Sequence, residues 1–310
     1  MFEKFGVTML RKYSLILLAI MLIGGITAIP DSLGFAKSSK SPANHRRYAS
    51  QDIQRISKMP VLYSSCALIE DQQTSAFLVQ KNATAVVPIA SITKLMTAMV
   101  ILDTRLDLQE SLVITRDDMD MLRHSRSRLS VGTRLTRQEA LLLALMASEN
   151  RAAHALSRVY PGGTIAFIGA MNTKARSLGL LHTRFTDPAG LSSGNVSSAL
   201  DLAKMTNAAC QYPLIRDFST REEVKIKSGR RCLSFSNTNR LIRSSRWQIG
   251  LSKTGFIDES GRCLVMQASV AQRPVVIVLL DAQGTLTRFG DANRIKKWME
   301  RLPPQLSRRG

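Results

Sequence analysis

The chain has 310 residues, 45% hydrophobic and 21% charged, an ordinary globular composition with room for one large domain. Its formal net charge of +20 suggests a polyanionic neighbour: nucleic acid, anionic lipid or a carboxylate-rich polymer. Zinc-finger spacing and aromatic-rich RNA-binding strands are both missing, which argues against nucleic acid as a partner. Four cysteines (Cys66, Cys210, Cys232, Cys263) are too few and too widely spaced for a disulfide scaffold. None forms a CxxC and no histidine sits in an HExxH, so no metal or other cofactor is expected. A single disulfide stays open, with no pair preferred.

At the N-terminus, Lys4, Arg11 and Lys12 precede an apolar run from Ser14 to Ile29, and Gly34-Phe35-Ala36 offers a small-residue cleavage site. That order is a secretory signal over residues 1–36. The run is shorter than the ~20 apolar residues that span a bilayer comfortably. Export with cleavage near Ala36 is therefore expected, leaving a net charge of +19 and at most a peripheral membrane contact. Export also speaks against nucleic acid. Residues 37–58, rich in Ser, Lys, Arg and Gln, read as a leader.

From Val61 the pattern is strand-like: an apolar run to Ile69, a polar turn over Glu70–Thr74, then a second short strand from Ala76. Ser91–Leu102 predicts a buried helix, and Gln138–Ala147, apolar nearly all round, a central one. Helices follow near Ala166–Leu178 and Ser198–Cys210. Asp117-Asp118-Met119-Asp120 reads as a solvated helix start. Strands return at Trp247–Phe256, Cys263–Val270 and Pro274–Leu280, and an amphipathic helix over Asp291–Leu302 closes the pattern. Strands at both ends with helices between predict an α+β fold: one domain over 59–303, its sheet built from both ends of the chain and a helical lobe inserted, followed by a tail at 304–310.

Three short motifs occur in order: Ser91-Ile92-Thr93-Lys94, Ser148-Glu149-Asn150 and Lys253-Thr254-Gly255. In a helix a three-residue spacing puts Ser91 and Lys94 on one face, so a lysine whose pKa is lowered by burial can act as base toward the hydroxyl. The helix N-terminus brings a free N–H toward a developing oxyanion. The blander alternative is a serine cap followed by a surface lysine, which the apolar neighbours Leu95, Met96 and Met99 disfavour. Ser148-Glu149-Asn150 ends the most apolar helix, where a polar triplet must cap it or line a cleft. Lys253-Thr254-Gly255 lies within a strand; Gly255 lets an extended substrate lie against the backbone, while Lys253 and Thr254 offer charge and a hydroxyl to a carboxylate. The N–H groups of Ser91 and Phe256 are the expected oxyanion hole.

These motifs, together with the stretches ASITKLMTAMVILD, LLLALMASENRAA, DPAGLSSGNVSSALDL, NTNRL and KTGFIDESGRCLVM, resemble the low-molecular-mass penicillin-binding proteins, especially D-alanyl-D-alanine endopeptidases of the penicillin-binding protein 7 type. The resemblance runs from about Tyr63 to about Trp298. It implies an antiparallel sheet flanked by helices with an inserted all-helical lobe, as in β-lactamases and transpeptidases. It also implies periplasmic location, an acyl-enzyme on Ser91, Lys94 and Ser148 as proton carriers, and Asn150, Lys253, Thr254 and Gly255 binding substrate. The expected partners are peptidoglycan stem peptides, with β-lactams as covalent inhibitors.

Four rival readings compete with this one. Gly190-Leu191-Ser192-Ser193-Gly194 matches a nucleophile elbow, but Asp187-Pro188 precedes it and the last histidine is His182, so the order Ser, acid, His fails. A β-lactamase of this motif set uses a glutamate between the second and third motifs, and Phe185–Ser198 has none. A D,D-carboxypeptidase uses the same residues; many carry an extra C-terminal domain, whereas only about thirty residues follow the last strand here. A non-catalytic wall-binding protein is disfavoured by intact Ser91, Lys94 and Lys253.

Overall fold

The computed structural model describes residues 59–302 apart from Arg230; the expected signal, leader and tail lie outside them. Strands β1 (Ser64–Asp71), β2 (Ala76–Lys81), β9 (Gln248–Ile257), β10 (Gly261–Val270) and β11 (Arg273–Ala282) form one antiparallel sheet in the order β2-β1-β11-β10-β9. The first hairpin and the last three strands meet as anticipated, with Ala67 opposite Leu279 and Val265 opposite Val278. β11 carries Val275–Leu280 without alternation because both of its faces are covered. β9 is an edge strand, and it carries the third motif.

Helices cover both faces. On one, Leu68, Val265 and Val278 pack with α1 (Lys94–Asp103), α2 (Arg137–Met146), α3 (Asn150–Arg158), α4 (Gly163–Ser177), α5 (Ala199–Ala209) and α6 (Pro213–Thr220). On the other, Ile69, Leu264 and Ile277 pack with Phe289, Ile295 and Met299 of α7 (Thr287–Met299). Each large aliphatic side chain buried this way contributes roughly 1.5–3 kcal/mol. Short strand pairs complete the fold: β3 (Val87–Pro88) with β6 (Val196–Ser197), β4 (Ser111–Val113) with β5 (Arg134–Thr136), and β7 (Glu223–Ser228) with β8 (Arg231–Ser236).

Two expectations need correction. Asp117–Asp120 is not a solvated helix start: only Arg116–Asp118 is helical, as one 3-10 turn, and two of its three aspartates are buried. Asp118 pairs with the Arg158 guanidinium at 2.9 Å, and Asp120 accepts the N–H groups of Leu122, Arg123 and Ser125. The helix expected from Ser91 begins as a 3-10 turn over Ala90–Thr93, and the α-helix starts at Lys94. Among the described residues all four cysteines are free thiols; burial pushes Cys210 and Cys263 up to about 11. No described helix is long and apolar enough to cross a membrane.

Candidate active site

Pairing of β3 with β6, and the bond from Ile89 N–H to Asn195 O (3.0 Å), fix the chain just before Ser91. Ala90 then turns it with φ +45°, a left-handed conformation costing about 1–2 kcal/mol for a residue with a Cβ. The turn leaves Ser91 half-buried and sends Lys94 into the interior. Lys94 Nζ donates to Ser91 Oγ (2.7 Å), Asn150 Oδ1 (2.8 Å) and Ala189 O (2.7 Å). Burial lowers its pKa to about 7, against the opposing pull of the Asp187, Glu149 and Asp120 carboxylates. As a neutral amine it keeps a lone pair within hydrogen-bond reach of the Ser91 hydroxyl.

The second motif follows α2, whose start is closed by a capping box between Thr136 and Glu139. Ser148 adopts φ +59°, and its Oγ accepts from Lys253 Nζ at 2.9 Å. Its left-handed backbone, just past the C-cap Ala147, ends α2, while its side chain makes no cap bond to α3, whose N-cap is Glu149, accepting from Arg151 N–H. Asn150 Nδ2 donates to Ser125 Oγ (2.9 Å), so the amide is held at both ends, by Ser125 and by Lys94.

On β9, Lys253 is buried and its pKa lies well below the usual lysine value, through desolvation first and then the charges of Lys94 and Arg288. Thr254 Oγ1 donates to Thr238 Oγ1 at 2.6 Å. Gly255 also meets a constraint within the protein itself. A Cβ there would point toward the serine turn, 2.8 Å from Ile89 O and 3.1 Å from Ser91 N, so glycine permits the close approach of the strand to Ser91. Phe256 follows it on the edge strand, half-exposed, with the Arg262 guanidinium 4.3 Å from its ring centre.

Ser91, Lys94 and Asn150 thus form one hydrogen-bonded group, Ser148 and Lys253 a second, and Gly255 brings the strand of the second against the serine of the first. Ser192 stands apart: its Oγ accepts the N–H of Gly194 in a turn. The second Ser-x-Asn of the chain, Ser193–Asn195, is structural. Asn195 Oδ1 accepts from Thr186 N, Thr186 Oγ1 and Asp187 N, and Nδ2 donates to Thr93 Oγ1 and Asp187 O.

Sequence reasoning missed three groups here. Asp187 takes the N–H groups of Ala189, Gly190, Leu191 and Ser192, shaping the loop whose Ala189 carbonyl holds Lys94. Ser125 steers Asn150. Arg288, at the start of α7, is 7% exposed, with Nε and Nη1 lacking partners among the described residues. Desolvation and the neighbouring Arg262 lower its pKa to about 10. A buried guanidinium without a carboxylate keeps donors that an anion could satisfy.

Residues 53–284 match the family model described as D-alanyl-D-alanine carboxypeptidase. A D-alanyl-D-alanine endopeptidase of Pseudomonas aeruginosa is 49% identical over 241 residues, covering 77% of this chain and 78% of that one. One of Escherichia coli K12 is 46% identical over 243 residues, covering 78% of each. The crystal structure of the Streptomyces K15 DD-transpeptidase superposes with a TM-score of 0.74 at 27% identity, covering 79% of this chain and 100% of that one. The antiparallel sheet with its helical lobe, the three ordered motifs and the extent of these matches have one reading: the chain belongs to the D-alanyl-D-alanine carboxypeptidase family.

Proposed function

We propose that this chain is a serine D,D-peptidase that hydrolyses D-alanyl cross-links in peptidoglycan through an acyl-enzyme on Ser91. Neutral Lys94 takes the Ser91 proton as Oγ attacks the D-alanyl carbonyl, and the N–H groups of Ser91 and Phe256 hold the oxyanion. Ser148, bonded to Lys253, relays the proton taken up by Lys94 to the departing amine, leaving Lys94 neutral again, and Asn150 holds the acyl-side amide. Lys253, Thr254 and Arg288 receive the carboxylate beside the scissile bond, and Gly255 keeps β9 close enough for this. Water then cleaves the ester. β-Lactams acylate the same hydroxyl.

The observation that carries the reading is the 2.7 Å contact of Ser91 Oγ with a fully buried Lys94 whose pKa falls to about 7. Slow release of β-lactams is supported by the loop between the second and third motifs. Its one carboxylate, Asp187, accepts four backbone N–H groups and is engaged in shaping the loop. In this reading residues 1–36 are an export signal, 37–58 a leader, 59–303 the peptidase domain of a periplasmic protein, and 304–310 a tail.

The test is labelling with a fluorescent penicillin in wild type and Ser91→Ala, followed by digestion of cross-linked muropeptides. Label on wild type alone, with monomers released from dimers, is the expected result. Label retained on Ser91→Ala would sink the nucleophile assignment. Loss of terminal D-alanine without cleavage of dimers would make the chain a carboxypeptidase, the activity that its family's description carries.

A further inference from the structure

A cavity of about 510 Å3 lies beside Ser148, lined by Arg126 and Arg128, by Ala147 and Glu149, and by Phe235 and Ser236 at the end of β8. In the mechanism proposed above, Ser148 is the residue that protonates the departing amine. Ala147 and Glu149 flank Ser148, whose hydroxyl is bonded to Lys253, and two residues past Ser236 the Thr238 hydroxyl accepts from Thr254. Release of a terminal D-alanine needs little room there, because the leaving group is one small amino acid. Cleavage of a cross-link releases the amine of a whole second peptide stem. The cavity falls within the ~300–1,000 Å3 range of sites that enclose sizeable ligands.

Its charge suits a peptide ending in free carboxylates. Arg126 is exposed and has no hydrogen-bond or ion-pair partner among the described residues. Arg128 donates to Ser234 O and lies 5.8 Å from the centre of the Phe235 ring, which fixes it to the wall. Glu149 is the one acid in the lining, and its Oε1 already accepts from Ser127 Oγ (2.6 Å) and Arg151 N–H (3.3 Å). The hairpin that carries Phe235 adds Lys225, Lys227 and Arg231 against a single Glu223.

We infer that this cavity is the subsite for the leaving peptide stem, recognised through its free carboxylates chiefly by Arg126; the inference rests on the acyl-transfer reading of Ser91. Arginine is suited to the task because its planar fork matches a carboxylate. The subsite gives the chain a means of preferring a cross-link over a stem terminus without any change in the reacting groups.

The experiment compares full-length wild type, Arg126→Glu and Arg126→Lys on a cross-linked muropeptide dimer and on an uncross-linked pentapeptide monomer. Arg126→Glu should lower the ratio of kcat/KM for the dimer to that for terminal D-alanine release by about ten-fold or more, about 1.4 kcal/mol. Arg126→Lys should recover most of the ratio, and added salt should shrink the wild-type preference. Penicillin acylation, which involves no second stem, checks that fold and nucleophile survive. Equal losses on both substrates, no loss on either, or a wild type that trims monomers but leaves dimers intact overturns the subsite while the Ser91 reading stands. A wild type that neither binds penicillin nor cleaves either substrate overturns both.

Discussion

Gly255 and Ser91 are separated by less than a methyl group needs: a Cβ on Gly255 would lie 3.1 Å from Ser91 N and 2.8 Å from Ile89 O. The strand edge and the serine turn are therefore in backbone contact. Gly190 presses on the same turn, where a Cβ would come within 1.9 Å of Ala90 O. Two glycines therefore approach the turn that carries Ser91 more closely than any other residue could.

Gly255→Ala should force β9 away from the turn and spread the two proposed oxyanion donors. Overpacking of this kind costs about 1–3 kcal/mol. The penicillin acylation rate should fall at least ten-fold, with a Tm loss of a few degrees. Gly190→Ala should be worse on both counts, since its φ of +79° adds strain to a harder clash. Acylation and melting measured on the two variants decide it; an unchanged rate in Gly255→Ala would show that the spacing is not used.

With Lys94 as the proposed base, its titration should set the pH dependence. Lys94 can accept the Ser91 proton only when neutral, and burial brings its pKa to about 7. Acylation should therefore rise about ten-fold per pH unit below that value and level off above it. Lys94→Arg keeps a cation that never deprotonates in this range, and should lose on the order of 10²–10⁴ in rate. A wild-type profile that is flat between pH 5 and 8 would exclude Lys94 as the base.

The site was legible in the sequence wherever chemistry ties residue types to a short spacing. Ser91 and Lys94 three apart, a polar triplet ending an apolar helix, and Lys-Thr-Gly inside a strand each carry a local signal. The sheet was legible for the same reason, since β1 and β9–β11 are apolar runs bounded by turns. Partnerships across long separations left no such trace. Arg288 joins the site from a helix 35 residues past Lys253, and nothing in its own neighbourhood distinguishes it from a surface arginine. Asn195 looks like any loop asparagine until its five side-chain hydrogen bonds are assembled. The helices α3 and α6 escape because they are short, and their burial depends on neighbours rather than on a long apolar stripe.

Ser192 and Asn195 lie three residues apart in one loop and should respond oppositely to alanine. Ser192→Ala loses only a turn bond to Gly194 N–H and should keep its penicillin label. Asn195→Ala removes five hydrogen bonds, one to the buried Thr93 hydroxyl and four to Thr186 and Asp187 in the part-buried turn, each worth about 0.5–1.5 kcal/mol. Its Tm should fall by roughly ten degrees. Labelling should slow as well, because this loop supplies the Ala189 carbonyl that holds Lys94. Loss of label in Ser192→Ala, with the fold intact by melting, would reopen the Gly-x-Ser-x-Gly reading.

The two neighbouring aspartates Asp117 and Asp118 test the reinterpreted acidic segment. Asp118 is fully buried, receives Thr115 N–H at 2.7 Å, and meets Arg158 through both oxygens at 2.9 and 3.0 Å. Its removal strands a buried N–H and leaves the guanidinium without its carboxylate, although Arg158 is 28% exposed and can recruit water. Asp118→Ala should therefore cost about 2–3 kcal/mol, below the 3–5 kcal/mol of a wholly buried pair. Asp117 is exposed, and Asp117→Ala should stay within about 0.5 kcal/mol of wild type. Urea melts of both variants at neutral pH give the comparison. Equal and small effects would mean that the segment behaves as the solvated run its composition suggests; a large effect at Asp118 alone would tie the 119–132 loop, with Ser125 and Arg126 on it, to the helical lobe through this buried pair.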